Sequence, residues 1–176
     1  MTLPRVYLAG PDVFRPDAEA FGRALAQACA ALGLQGVFPL DGALPPGLPP
    51  ADAARHIYQA NIRRIESCDA VLAQLDFFRG AEPDSGTCFE VGYAVARGKL
   101  VIGHVPEGGA LAARIRARQP GMLAADGVHD TAGWRVEEFG LPLNLMLAVP
   151  CRIVVGSAHE ALAQLRDALA ARSTAA

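Results

Sequence analysis

The chain has 176 residues, of which 52% are hydrophobic and 19% are charged. This length allows a core that is stable without disulfides, and the composition is that of a globular protein and excludes a disordered one. The formal charge of −2 and the absence of any Lys/Arg cluster argue against DNA or RNA as a partner, so we expect a small-molecule ligand.

Strand-like and helix-like patterns alternate along the chain. The predicted strands are RVYLAG, LQGVFPL, DAVLAQLD, KLVIGHV and CRIVVG. The predicted helices are DAEAFGRALAQACAALG, ADAARHIYQANIRRIESC, DSGTCFEVGYAVARGK, GALAARIRARQ and SAHEALAQLRDALAAR. Residues 120–140 show no regular pattern. The alternation predicts an α/β fold, a flavodoxin-like doubly wound sheet of about five parallel strands with helices on both faces. Neither a repeat nor a second domain is visible, so we expect a single domain over residues 1–176.

The four cysteines are widely spaced and form no CxxC pair. This spacing favours neither a zinc site nor a disulfide framework, and we expect no metal. The start of the chain, MTLPRVYLAGPD, lacks a basic region followed by a long apolar stretch. We therefore expect a cytoplasmic protein without a membrane partner.

Ligands of such sheets bind at the carboxyl ends of the strands. Tyr7 to Phe14, Asp41, and Asp76 to Glu90 follow the first three predicted strands. The turn AGPDVF lacks both the GxGxxG and P-loop patterns, so a phosphate cradle has no support. Burial tendencies predict that the side chains of Tyr7 and Phe14 belong to the core by default. Alternatively, a planar base could stack on Phe14.

Two asparagines lie where apolar residues are expected. Asn61 shares a helix face with Ile57 and Ile65, so its amide either bonds neighbouring backbone or points into the ligand crevice. Asn144, with Met146 nearby, interrupts the apolar run GLPLNLMLAV. An amide there needs a partner, either across an interface or in a site.

The stretch DSGTCFEVGYAVARGK places two carboxylates, Asp84 and Glu90, on either side of Gly86. Thr87 to Glu90 has the form of a capping box at the start of a helix. Alternatively, Glu90 is a reactive carboxylate that the positive end of the helix keeps ionised, with Asp84 facing it.

Four segments in this order resemble the nucleoside 2-deoxyribosyltransferase family. They are VYLAGPDVF, NIRRIESCDAVLAQLD, DSGTCFEVGYAVARGK and LPLNLMLA. The resemblance implies an enzyme that exchanges the base of a 2′-deoxyribonucleoside, with a deoxynucleoside and a free nucleobase as its small-molecule partners. Such an exchange with retained configuration needs two inversions and therefore a covalent deoxyribosyl intermediate, as in retaining glycosidases. No cofactor is implied.

The resemblance also assigns catalytic roles. Glu90 matches the nucleophile, and Tyr7 matches the tyrosine that orients it. Asp84 matches the residue that contacts the substrate and helps to protonate the leaving base, which requires a raised pKa. At Asn61 several members carry a base-protonating aspartate. Because an amide cannot supply that proton, the task falls to Asp84 or to the neighbouring loop residues Asp41 and Asp12.

The remaining expected substrate contacts come from the first, middle and last parts of the chain. Gly10, Gly86 and Phe14 are expected to line the binding site. Asn144 matches an amide that enters the active site of a neighbouring subunit to hold the sugar 5′-hydroxyl, with Met146 beside it. The resemblance therefore implies a homo-oligomer, whereas the default interpretation of this segment is a helix packed within its own domain.

Two other functions are open. A related 2′-deoxynucleoside 5′-monophosphate N-glycosidase would use the same glutamate but release the sugar to water. It would need a Ser, Gly and Arg phosphate-binding turn after the first strand, where this chain has AGPDVFRPD and where Asp12 would repel a phosphate. A non-catalytic nucleotide-binding or flavin-binding module on the same fold would have no use for Glu90, Asp84 and Tyr7 as a set.

Overall fold

The computed structural model describes residues 2–42 and 44–174. In them one sheet has five strands, all parallel, in the order β2-β1-β3-β4-β5. The strands are β1 (Arg5–Ala9), β2 (Gln35–Val37), β3 (Ala70–Gln74), β4 (Leu100–Val105) and β5 (Arg152–Val155). This is the flavodoxin-like order, and the predicted fold class is confirmed. The second strand is shorter than predicted, because Phe38 to Leu40 already belong to the following turn.

The helices lie on both faces of the sheet. They are α1 (Ala18–Ala31), α2 (Pro50–Ser67), α3 (Ser85–Ala96), α4 (Leu111–Arg118), α5 (Leu145–Ala148) and α6 (Ala158–Thr174). Gly33 follows α1 with a φ of 71°, the left-handed conformation that ends helices at glycine. A 3-10 turn over Pro11–Phe14 leads from β1 toward α1.

Side chains of the strands alternate between two apolar cores. On one face Tyr7, Val71 and Val101 pack with Val91 of α3. On the other face Val6, Leu8, Leu72 and Ile102 pack with residues of α1 and α6. The first core brings the carboxyl end of β1 against α3, and this contact positions the site described below.

Residues 120–140 form an irregular segment, as the sequence predicts. It contains the 3-10 turn Pro120–Met122 and two isolated antiparallel bridges, Leu123 to Asp130 and His129 to Arg135. None of the helices within the described residues is both long and apolar enough to span a bilayer.

Candidate active site

A cavity of about 330 Å³ opens at the carboxyl end of β1, between α2 and the start of α3. Its lining residues are Gly10, Val13, Phe14, Pro39, Leu40, Ile57, Asn61, Asp84, Gly86, Thr87 and Glu90. The volume falls within the range of small-molecule sites. Six of these residues are among the site residues expected from the sequence, so the fold gathers positions that lie up to 80 residues apart in the chain.

Glu90 is held by the hydroxyl of a buried tyrosine. Tyr7 lies on β1 and donates a hydrogen bond of 2.6 Å to Oε1 of Glu90. Asn61 Nδ2 donates a longer bond of 3.4 Å to the same oxygen. Oε2 of Glu90 makes no hydrogen bond to any of the described residues. One carboxylate oxygen is therefore fixed by two donors, and the other is available to react.

Burial raises the pKa of Glu90 from an ordinary 4.5 to about 6. The hydrogen bond from Tyr7 opposes this rise, the charge of Asp84 adds to it, and the bond from Asn61 again opposes it. Glu90 lies in the second turn of α3, because the helix begins at Ser85. The prediction that the positive end of the helix keeps Glu90 ionised is therefore wrong, because Glu90 does not lie at the helix start. Hydrogen bonds from two other elements stabilise the charge.

The helix cap is Asp84, and the capping box predicted for Thr87 and Glu90 is wrong. Asp84 Oδ2 accepts a bond of 2.9 Å from the Thr87 amide and one of 3.0 Å from its hydroxyl. Thr87 is buried in the first turn of the helix. These two bonds fix Asp84 at the cavity wall, while Oδ1 makes no hydrogen bond to a described residue.

Phe14 is exposed at the mouth of the cavity and is not a core residue. It is 58% exposed, and its ring stacks on that of Phe78, with centroids 5.6 Å apart. The Arg79 guanidinium lies 5.1 Å from the Phe14 centroid and 4.6 Å from that of Phe78. Arg79 has a φ of 54°, the sole positive φ of a non-glycine among the described residues. The cavity thus has an aromatic rim that carries one cation.

The Asn61 amide bonds two side chains and no neighbouring backbone group. Of the two alternatives left open by the sequence, the structure therefore has the amide in the ligand crevice. Its Oδ1 accepts a bond of 3.0 Å from Arg64 Nη1, and its Nδ2 faces Glu90. Arg64 is a residue of this site that was not predicted from the sequence. The signal was present, because residues three apart share a helix face.

Asp12 and Asp41 do not line the Glu90 cavity in the described part of the chain. Asp12 turns to a different cavity, of about 270 Å³, on the α1 and α6 side of the sheet, and burial raises its pKa. Asp41 Oδ2 accepts a bond of 2.7 Å from the backbone N–H of Phe38 and so closes its own turn. Of the three expected acids, the fold brings only Asp84 to Glu90.

Asn144 and Met146 also lie outside this cavity, among the residues that the structure describes. Asn144 caps α5: its Oδ1 accepts a bond of 2.9 Å from the Met146 amide, and its Nδ2 donates one of 2.8 Å to Glu137 Oε1. Leu147 is buried in the core, whereas Met146 is 73% exposed. Within one chain, Asn144 therefore does not reach Glu90's cavity.

The described residues contain no group of three or more His, Cys, Asp or Glu side chains that is arranged to hold a metal ion. The chemistry that the cavity offers comes from a buried carboxylate, a second carboxylate and two hydrogen-bond donors.

Glu90→Gln should stabilise the folded protein at pH 8. Because the pKa of Glu90 is raised in the folded state, folding is favoured below about pH 4.5, and this contribution is lost as the pH rises through about 6. A neutral glutamine avoids that loss, so its free energy of unfolding should exceed that of the unchanged protein by about 1–2 kcal/mol at pH 8 and match it near pH 4. Urea unfolding at both pH values measures the difference. An equal difference in the free energy of unfolding at pH 8 and near pH 4 would contradict the claim that burial raises the pKa of Glu90.

The chain is similar to known proteins in sequence and in fold. Residues 6–146 match the family model described as nucleoside 2-deoxyribosyltransferase. A 2-desoxiribosyltransferase from Leishmania mexicana superposes with a TM-score of 0.73 at 32% identity, covering 93% of this chain and 97% of that one. A conserved protein from Enterococcus faecalis V583 has the same fold, with a TM-score of 0.62 and 20% identity over 94% of this chain and 99% of that one.

An uncharacterized protein of Schizosaccharomyces pombe is 36% identical over 118 residues. The match covers 65% of this chain and 56% of the yeast protein, so the chain spans about half the length of that relative. The family match includes β1 from Val6 onward, α2, α3 and the segment up to Met146, and thus every residue of the Glu90 cavity. The chain belongs to the nucleoside 2-deoxyribosyltransferase family.

Proposed function

We propose that the protein exchanges the base of 2′-deoxyribonucleosides through a covalent deoxyribosyl intermediate on Glu90. The observation that supports this most is the Tyr7 and Glu90 pair in the cavity, with Oε1 held at 2.6 Å and Oε2 without a partner among the described residues. A nucleophile requires this combination of a fixed carboxylate and a free reactive oxygen.

In the first step Glu90 Oε2 attacks C1′ of the sugar while the bond from C1′ to the base nitrogen breaks. The base leaves with a proton from Asp84, whose Oδ1 is the oxygen not engaged in the helix cap. In the second step the incoming base gives a proton to Asp84 and attacks C1′, which breaks the bond to Oε2. Two inversions restore the original configuration.

Tyr7 suits the role of a permanent donor. Burial, followed by the charge and hydrogen bond of Glu90, raises the pKa of Tyr7 above its usual range. The hydroxyl therefore stays protonated and keeps one carboxylate oxygen in place throughout the cycle.

Asp84 is the proposed proton donor of the first step and the proposed proton acceptor of the second. Asn61 has an amide that cannot donate a proton to the base, and Asp12 and Asp41 point away from the cavity. The Phe14 ring at the mouth offers a surface on which a planar base stacks.

We further propose that the working enzyme is a homo-oligomer in which Asn144 completes the site of a neighbouring chain. Large apolar side chains on α2, on α3 and at α5 and its C-cap are exposed, each between 48% and 73%: Ile57, Tyr58, Phe89, Met146 and Val149. Such a surface favours association with another protein chain. Met146, one of these side chains, lies two residues from Asn144, and this supports a second copy as the occupant.

The hydrolytic alternative, a 5′-monophosphate N-glycosidase, gains support from two observations. Asp12 lines a cavity on the other side of the sheet and not the Glu90 cavity, and Arg79 places a cation over the aromatic rim of the Glu90 cavity. The transferase is preferred because the turn after β1, AGPDVFRPD, has no hydroxyl residue that would bind a phosphate, and its one arginine, Arg15, pairs with Asp17.

Two parallel incubations separate these functions. The protein is mixed with a 2′-deoxynucleoside and a second free base, and in parallel with the corresponding 5′-monophosphate. We expect a new deoxynucleoside to form faster than free deoxyribose. Release of deoxyribose 5-phosphate from the monophosphate, without exchange, would establish the hydrolase instead. If neither product forms, the protein is a non-catalytic binding module.

Tyr7→Phe should lower kcat/KM for exchange roughly 10-fold to 100-fold, because it removes a hydrogen bond to a charged group. The pKa of Glu90 should rise above about 6, so the acidic limb of the pH profile should move to higher pH. Tyr93→Phe is the matched control, because Tyr93 donates a bond of 2.7 Å to the exposed Glu66. Similar profiles for both variants would contradict the role of Tyr7.

A further inference from the structure

We propose that Arg64 is a positioning residue for Glu90: it fixes the Asn61 amide so that its NH₂ group faces the carboxylate. The catalytic consequence rests on the function proposed above, whereas the structural relation does not. Arg64 itself does not line the Glu90 cavity in the described residues, so it acts through Asn61.

The hydrogen-bond inventory of arginine decides which way the amide points. Arg64 Nη1 lies 3.0 Å from Asn61 Oδ1. A guanidinium has donors only, so the atom that faces it must be the amide oxygen. The amide NH₂ is then directed at Glu90 Oε1, 3.4 Å away. Without Arg64 the amide could rotate and present its oxygen to the carboxylate.

The guanidinium is held from a second side. Nη2 of Arg64 donates to the backbone carbonyl of Asp41, in the loop after β2. Gly42 has a φ of 103°, and a Cβ at this position would lie 3.2 Å from Nη2, so the close approach of the loop favours glycine. Arg64 thus links α2 to the loop whose Pro39 and Leu40 line the cavity.

This arrangement explains how the chain works with an amide at position 61. A carboxylate there would also pair with Arg64, but it would place a second negative charge beside Glu90. The amide instead supplies a neutral donor to Oε1. Arg64 therefore orients Asn61 as a hydrogen-bond donor to the proposed nucleophile, Glu90. Protonation of the base is then the task of another residue.

The charged and polar groups that face Glu90 come from three elements. Tyr7 faces it from β1, Asn61 with Arg64 behind it from α2, and Asp84 from the start of α3. Tyr7 and Asn61 lower the pKa of Glu90 and Asp84 raises it. Removing Arg64 leaves Tyr7 and Asp84 in place, but it also removes a positive charge whose effect reaches Tyr7. A change in the titration of Glu90 is therefore compared with the change that loss of the Asn61 bond alone produces.

The test is the titration of the Glu90 carboxyl by carbon NMR in protein labelled at the glutamate side-chain carboxyl, with Glu90→Gln assigning the signal. Arg64→Met should raise the pKa of Glu90 by about half a unit to one unit. Arg63→Met is the matched control, since Arg63 is the exposed next residue on the same helix, and it should leave the titration unchanged. In exchange assays Arg64→Met should lower kcat about tenfold, with a smaller change in KM.

Asn61→Ala distinguishes positioning from general stability. It should shift the Glu90 titration as Arg64→Met does, and the double variant should shift it no further, because both changes remove the same bond. If Arg64→Met does not fold, Arg64→Lys replaces it, and a smaller shift in the same direction is expected. An unchanged Glu90 titration in the folded Arg64 variant, or additive shifts in the double variant, would overturn the proposal.

The two proposals fail in different ways. If the unchanged protein exchanges no base but the titration shifts as expected, the function is wrong and the role of Arg64 stands. If exchange occurs and the titration of Glu90 does not depend on Arg64, the function stands and the positioning role is wrong.

Discussion

Replacing Glu90 by alanine is expected to reduce base exchange by roughly four to six orders of magnitude, because the covalent route through Oε2 disappears with the carboxylate. The remaining site can still bind a nucleoside through Phe14 and Asp84, so KM should change far less than kcat. The measurement is steady-state formation of the new deoxynucleoside.

The fold should survive this substitution. Asp84, and not Glu90, caps α3, so the helix start keeps its hydrogen bonds. Removal of Glu90 also removes a charge that is costly to bury. Glu66→Ala is the matched control, because Glu66 accepts a bond from Tyr93 on the exposed surface. Near-normal exchange by folded Glu90→Ala protein would show that the nucleophile is another residue.

Mixing two inactive variants should restore activity if the site is shared between chains. Glu90→Ala chains keep Asn144, and Asn144→Ala chains keep Glu90. After subunit exchange, a random mixture of dimers should contain about a quarter of its sites with both residues intact. We expect up to that fraction of the activity of the unchanged protein.

Two controls define the outcome. A mixture of Glu90→Ala with Glu90→Gln chains must stay inactive, because both lack the same residue. Unfolding of Asn144→Ala should show a loss of about 1 kcal/mol for the lost cap of α5, which leaves the chain folded. Full activity of a monomer, or an inactive mixture with proven subunit exchange, would make Asn144 a residue that only caps α5 beside Glu137.

The sequence predicted the fold because its apolar runs alternate with amphipathic stretches, a pattern that only a covered parallel sheet satisfies. It also predicted that Tyr7, Asp84 and Glu90 belong together, although Tyr7 and Glu90 are 83 positions apart. The contact follows from topology, since β1 is central and its carboxyl end lies against α3.

Side-chain directions could not be predicted in the same way. Asp84 and Thr87 both have the chemistry of a helix cap, and burial of Thr87 within the first turn decides between them. Asp12 and Asp41 follow the correct strands but turn away, because a 3-10 turn and a short backbone hydrogen bond set their directions. The pairing of Asn61 with Arg64 could be predicted, because the two residues are three apart on one helix. The bond from Arg64 to a loop carbonyl could not, because it depends on how the loop folds.

The covalent intermediate gives the most direct test of the proposed chemistry. A 2′-deoxy-2′-fluoro nucleoside slows both steps by withdrawing electrons from C1′, so the sugar should accumulate on the enzyme. Mass spectrometry of the intact chain and of its peptides should then show one fluorosugar, attached to Glu90. A sugar on any other residue, or active protein that releases base from this nucleoside without ever carrying the sugar, would contradict catalysis through Glu90.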